Sequence, residues 1–197
     1  CMCSVESSVA IGHGALMGST TVSSNTGRSN VALGFFAGHF ITTGECNTFI
    51  GRYAGKKLTS GARNIALGSL SMHCGTVTGN GNIAFGSYSL KCVSSGAKNI
   101  SIGGYALEKC ATSSSCNIAI GEKAGRCVSG DRNIAIGCNA MNCSAGDDNI
   151  AIGNITMKCL SSGERNIAIG KYTMQCITTG DKNVGLGHCA LALATFT

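Results

Sequence analysis

Residues 133–137 read Asn133-Ile134-Ala135-Ile136-Gly137, and the same five residues return at 117–121, 149–153 and 166–170. Close variants begin at Ser8, Asn30, Asn47, Asn64, Asn82, Asn99 and Asn183, so the phrase occurs eleven times. The first two copies start 22 residues apart and the others 16 to 18. Numbered from the first residue of each copy, the columns separate by chemistry. Column 0 is Asn in ten copies, +1 is Val or Ile except Thr48, and +2 is Ala, Ser or Gly except Phe49. Column +3 is always Ile, Leu or Phe, and +4 is Gly in every copy, from Gly12 to Gly187. Column +7 is Ala, Ser or Thr, +8 is Leu, Met or Gly, and a Ser/Thr-Gly turn with charged residues leads to the next Asn.

Inside the phrase the period is two: large residues at +1 and +3 flank a small one at +2. That alternation predicts a strand with both faces covered. Gly at +4 predicts a corner, where φ is positive or a Cβ would clash. Columns +6 to +11 predict a second short strand. One such unit cannot bury a core, but stacked units can. The expected fold is an all-β parallel β-solenoid, a thin roll of about eleven 16–18-residue coils. It fills residues 1–197 as a single array. With Ala at +2 and +7 turned inward, the roll is thin and the +1 and +3 residues face outward. With the large residues inward it is fatter and could be monomeric. Low charge and positive mean hydropathy favour the thin roll. The oligomer-interface candidates are therefore Ile65, Leu67, Ile83, Phe85, Ile100, Ile102, Ile118, Ile120, Ile134, Ile136, Ile150, Ile152, Ile167 and Ile169. So large an apolar stripe is expected to be covered by copies of the same chain. Stacked Asn residues predict an amide ladder. The chain has 29 Gly and no Pro, which suits strands whose every amide must donate along the stack.

Composition narrows the function classes. Hydrophobic residues make up 44% and net charge is only +6, which argues against disorder. No apolar run reaches the ~18 residues of a membrane span, so no membrane insertion is expected. Basic residues are scattered and aromatics are 5%, so no nucleic-acid partner is expected. The chain opens at Cys1 without a charged and apolar leader, which reads as a mature product or a piece of a longer protein.

The phrase Asn-Ile-Ala-Ile-Gly-x-x-Ala-Leu/Met with its Ser/Thr-Gly turn resembles the head repeats of trimeric autotransporter adhesins. It is also similar to the repeats of phage and large-virus tail-fibre proteins. The resemblance spans about residues 8–191. It implies a left-handed β-roll, three chains around one axis, and columns +1 and +3 at the trimer centre. It further implies a structural or adhesive fibre module at a cell surface or virion surface, hence extracellular, with a host-surface receptor or glycan as a possible partner.

Thirteen cysteines exceed what a reduced cytosolic chain usually carries. Seven recur once per coil: Cys74, Cys92, Cys110, Cys127, Cys143, Cys159 and Cys176, each ten residues after its column-0 residue except Cys110 at eleven. Three readings stay open: a buried core column, disulfides between neighbouring coils, and bonds between chains. Cys46 and Cys116 precede an Asn, and Cys138 and Cys189 follow the Gly corner. Those four are the inter-subunit candidates.

No enzyme is expected. His13, His39, His73 and His188 fall in columns +5 and +9 among charged residues, which reads as a solvent face. No cysteine, histidine and carboxylate cluster has metal spacing, so no metal or cofactor is expected. Gly-x-x-Gly strings come from the repeat and lack a phosphate-loop Lys-Ser/Thr. Columns +5 and +6 gather Phe35, Phe36, Tyr53, Tyr88, Tyr105 and Tyr172, an aromatic edge that could stack on sugars or cover the roll. Two alternatives to the fibre module are a self-assembling filament stacked head to tail, reinforced by disulfides, and an ice-binding solenoid. The latter needs a flat Thr-x-Thr array, whereas Ser and Thr here sit side by side in turns.

Overall fold

The computed structural model describes residues 7–109, 113–176 and 179–192. Among these, eleven three-residue strands form one parallel sheet. They are β1 (Val9–Ile11), β2 (Val31–Leu33), β3 (Thr48–Ile50), β4 (Ile65–Leu67), β5 (Ile83–Phe85), β6 (Ile100–Ile102) and β7 (Ile118–Ile120), then β9 (Ile134–Ile136), β11 (Ile150–Ile152), β12 (Ile167–Ile169) and β13 (Val184–Leu186). Two two-residue strands, β8 (Cys127–Val128) and β10 (Cys143–Ser144), pair with each other. The large sheet stacks in chain order and strict register: Ile118 lies beside Ile134, Ala119 beside Ala135, Ile120 beside Ile136. The chain is therefore an all-β parallel β-solenoid, each coil contributing one strand to the sheet.

Backbone pairing runs the whole length. Ile134 N donates to Asn149 O of the next coil at 2.8 Å, and Gly137 N to Ile120 O of the previous one at 2.8 Å. Met141 N donates forward to Thr156 O at 2.8 Å. A proline at any of these positions would remove a donor.

Columns 0, +2, +7 and +8 point inward. Ala66, Ala84, Ala119, Ala151 and Ala168 at +2 are fully buried, as are Met72, Leu90, Met141 and Met157 at +8. The Gly corner combines two constraints. At Gly121 φ is +131°, and a Cβ there would lie 2.7 Å from the backbone of Gly137 in the next coil. Neither the conformation nor the stacking admits a side chain.

The second segment departs from expectation. Columns +5 to +9 form turns; among the described residues strands appear only at the +10 and +11 positions of β8 and β10, with a single bridge between Leu58 and Val77. The cause is backbone handedness. Column +6 is left-handed in Tyr53, Tyr105, Lys123 and Ile155, and column +8 again in Met72, Leu90, Met141 and Met157. Alternating left-handed residues coil the chain tightly, so Ala140 and Met141, neighbours in sequence, are both fully buried. A strand would have turned one of them out.

One coil breaks the column rule and repairs it locally. Phe49 stands where other coils have Ala, yet it is fully buried. The +8 positions against it are Gly38 and Gly55, where an added Cβ would sit 2.6 Å and 2.3 Å from its ring. The side-chain volume has moved from +8 to +2.

Candidate functional site

The coil has four features that could serve a function: an amide ladder inside, an apolar stripe, an aromatic edge and a thiol edge outside.

The amide ladder holds the coils in register. Asn166 Oδ1 accepts the backbone N–H of Asn183 at 2.9 Å and its Nδ2 at 3.0 Å. Asn166 in turn donates from its own N and Nδ2 to Asn149 Oδ1, and from Nδ2 to Gly180 O at 2.7 Å. The same pattern joins Asn30 to Asn47 and Asn82 to Asn99. All of these but Asn183 are buried, and Asn47, Asn82, Asn99 and Asn166 each use both amide donors and the acceptor, which is what burial of an amide requires.

The apolar stripe is the outer face of the large sheet. Ile65, Ile83, Ile100, Ile118, Ile134, Ile150 and Ile167 at +1 are half-buried by their stacked neighbours. At +3, Leu67, Ile136 and Ile152 are half-buried, while Phe85, Ile102, Ile120 and Ile169 remain 37–39% exposed. Eleven strands at ~4.8 Å make the stripe about 50 Å long. With three residues per strand its area is on the order of 500 Å², near the upper end of what soluble monomers leave open.

The aromatic edge packs largely on itself. Phe36 stacks on Tyr53 with centroids 5.9 Å apart, and Tyr88 on Tyr105 at 4.9 Å and 5°. Lys56 lies over Phe36 and Tyr53, and Lys91 over Tyr88. Phe35 makes an edge contact with Phe36 at 4.4 Å. Beside it, Met17, Phe40, Thr42, Lys57, Thr59 and Thr76 line an open groove of about 640 Å³.

Column +9 is not the uniform solvent face expected. His39 is buried, with Nδ1 2.8 Å from Gly14 O. Glu108 is also buried, 2.7 Å from Arg126 Nε and 4.0 Å from Lys91 Nζ in the flanking coils. His73 Nδ1 is buried without a partner, and burial, reinforced by Lys56, pushes its pKa below the usual value. The inward lean of +8 and +9 draws these residues over the core rim. His13 and His188 are exposed.

The thiol edge corrects the core reading of the cysteine column. Cys74, Cys92 and Cys127 are half-exposed and Cys143, Cys159 and Cys176 exposed. The buried residues are their successors at +11, Val93, Val128, Ser144 and Leu160. Cys110 lies outside the described residues; Lys109 holds the column position in its coil, its N–H donating to Arg126 O at 2.7 Å just as Cys74 N–H donates to Lys91 O. Cys46, Cys116 and Cys189 are exposed and Cys138 half-exposed. None of the described cysteines is disulfide-bonded.

Among the described residues no cluster of three or more His, Cys, Asp or Glu could hold a metal ion, and no helix is long and apolar enough to cross a membrane. No protein-family model, curated protein or solved structure matches this chain. The functional reading therefore rests on the geometry and on the repeat.

Proposed function

We propose that this chain is a non-enzymatic structural or adhesive fibre module, a left-handed roll of about eleven coils that associates with two copies of itself through the apolar stripe. The carrying observation is that stripe: a row of Ile, Leu and Phe in strict register, about 50 Å long, with Phe85, Ile102, Ile120 and Ile169 open on its surface. Three stripes facing one axis would remove all of them from water at once, and ~500 Å² per chain at about 25 cal/mol per Å² is a driving force on the order of 10 kcal/mol per chain before association costs. The resemblance of the repeat to adhesin heads and tail-fibre repeats points to the same arrangement and to an extracellular, cell-surface or virion-surface setting. A host-surface receptor or glycan would then meet the aromatic edge or the groove beside it, which the trimer leaves outside.

Sedimentation of a stripe variant tests the interface. Ile120→Lys with Ile152→Lys sets charges in the face and is expected to give a folded monomer. Asn154→Lys, on the neighbouring half-exposed column, is expected to leave association unchanged. A double variant that sediments like the unmodified chain refutes the interface.

A second reading is a filament stacked head to tail. It draws on β1 and β13, each paired on one side only among the described residues. Electron microscopy separates the two, since discrete short rods contradict the filament.

A further inference from the structure

We infer that six edge cysteines form three disulfide staples between adjacent coils of one chain, Cys74–Cys92, Cys127–Cys143 and Cys159–Cys176, when the protein meets a disulfide oxidant such as glutathione disulfide. The register carries it. Cys74 N–H donates to Lys91 O at 2.7 Å, Cys127 N–H to Asn142 O at 2.8 Å, Cys143 N–H to Lys158 O at 3.2 Å and Cys159 N–H to Gln175 O at 3.2 Å. Each acceptor is the residue just before the next cysteine, so consecutive cysteines lie side by side on the same face of the coil. β8 and β10 pair Cys127 with Cys143 directly. Parallel neighbours stand ~4.8 Å apart, inside the usual Cα range of a disulfide, ~4.4–6.8 Å. The Cβ atoms must still close by about 1 Å. Strands of two residues at the edge of a coil resist that less than a continuous sheet.

The partition follows from Lys109. It occupies the column between Cys92 and Cys127, so the ladder splits into a run of two cysteines and a run of four. Both runs are even. Each thiol can bond only one neighbour, and the only matching that uses all six is the one given. In two of the pairs the neighbouring thiols sense one another: burial and Cys74 push the Cys92 thiol up, and burial and Cys127, with a smaller contribution from Cys159, do the same to Cys143. A groove of about 300 Å³ runs along Cys127, Cys143 and Cys159 and gives an oxidant access.

The chemistry balances. A cysteine thiolate attacks glutathione disulfide and expels one glutathione thiolate, leaving a mixed disulfide. The neighbouring thiolate attacks the protein sulfur and expels the second glutathione. Two protein thiols are oxidised to one disulfide, glutathione disulfide is reduced to two glutathione thiols, and the two protons lost by the protein thiols are taken up through solvent by the expelled glutathione thiolates. In a stack whose coils touch only their neighbours, each staple locks one junction against unzipping.

Tryptic mapping of the oxidised full-length chain tests this, because a Lys or Arg falls between the partners of every pair. The reduced protein is incubated natively with glutathione disulfide, remaining thiols are alkylated, and the monomer band of a non-reducing denaturing gel is digested. The expected products are peptide 64–91 linked to 92–98, 127–132 linked through Cys143 to 133–158, and 159–165 linked to 172–182, with a thermal midpoint raised by several degrees and returned by dithiothreitol. Cys127→Ser is expected to abolish the second link and leave the first intact. Alkylation of all six cysteines after oxidant treatment, links only in covalent multimers, or a different set of pairs overturns the inference. The result does not depend on how the apolar stripe is covered, because the mapping reads bonds within one chain.

Discussion

At the scale of single residues, the ladder Asn is the most constrained polar group in the chain. Asn149 takes the N–H of Asn166 on its Oδ1 and donates from Nδ2 to Gly163 O at 2.9 Å. Asn149→Ala would strand a buried N–H and a buried carbonyl, each at roughly 1–3 kcal/mol. We expect a loss of about 2–4 kcal/mol by urea denaturation, with a loss below about 0.5 kcal/mol counting against the ladder. Phe49 offers a sharper test, because its ring and the vacancies at Gly38 and Gly55 were read as one exchange of volume. Phe49→Ala alone should cost about 3–5 kcal/mol, and Gly55→Met alone should also destabilise, since its side chain meets the ring. Together they recreate the arrangement of other coils, such as Ala66 with Met72, so their combined cost should fall well below the sum. Additive losses would show that the two sites are not coupled.

At the scale of the element, the Asn-Ile-Ala-Ile-Gly strand was legible from its period of two, which leaves two orientations, Ala inward or Ile inward. The low charge, 12% of residues, favoured Ala inward, and the structure has it so. The second half of the coil was not legible in the same way. Its pattern of small at +7 and large at +8 looks like strand alternation, but both residues point inward because +6 and +8 adopt left-handed backbone. Leu, Met and Tyr there give no warning, since such residues ordinarily avoid positive φ. That is also why column +9 looked like a solvent face, and why the burial of His39 and Glu108 was missed. The cysteine column was found by its spacing, yet its outward direction needed the coil's path. His73 gives this half of the coil a pH signature. Its folded pKa is depressed below 6.5 by burial and by Lys56, so the unfolded chain binds the proton more readily. Stability is then full above about pH 6.5 and declines as pH falls through that value toward the depressed folded pKa. Urea midpoints should therefore drop on acidification from pH 7 to 5, and His73→Gln should flatten that slope. A slope unchanged by the substitution would assign it to other groups.

At the scale of the whole molecule, the chain is a rod whose core is Ala, Leu, Met and ladder amides and whose Ile, Leu and Phe residues at +1 and +3 are turned out. A single copy is left with an open apolar face along its length, and the low charge, 12% of residues, does little to offset it. The proposed trimer resolves that imbalance without any new feature, since every coil supplies the same stripe at the same height. The staples act along the axis and the stripe acts across it, so the two can be measured apart. The most direct test of the account is the molar mass of the purified chain by light scattering, taken under reducing conditions so that no covalent link contributes. The account predicts three times the 19.9 kDa of one chain; a stable, folded monomer of that single mass would contradict it.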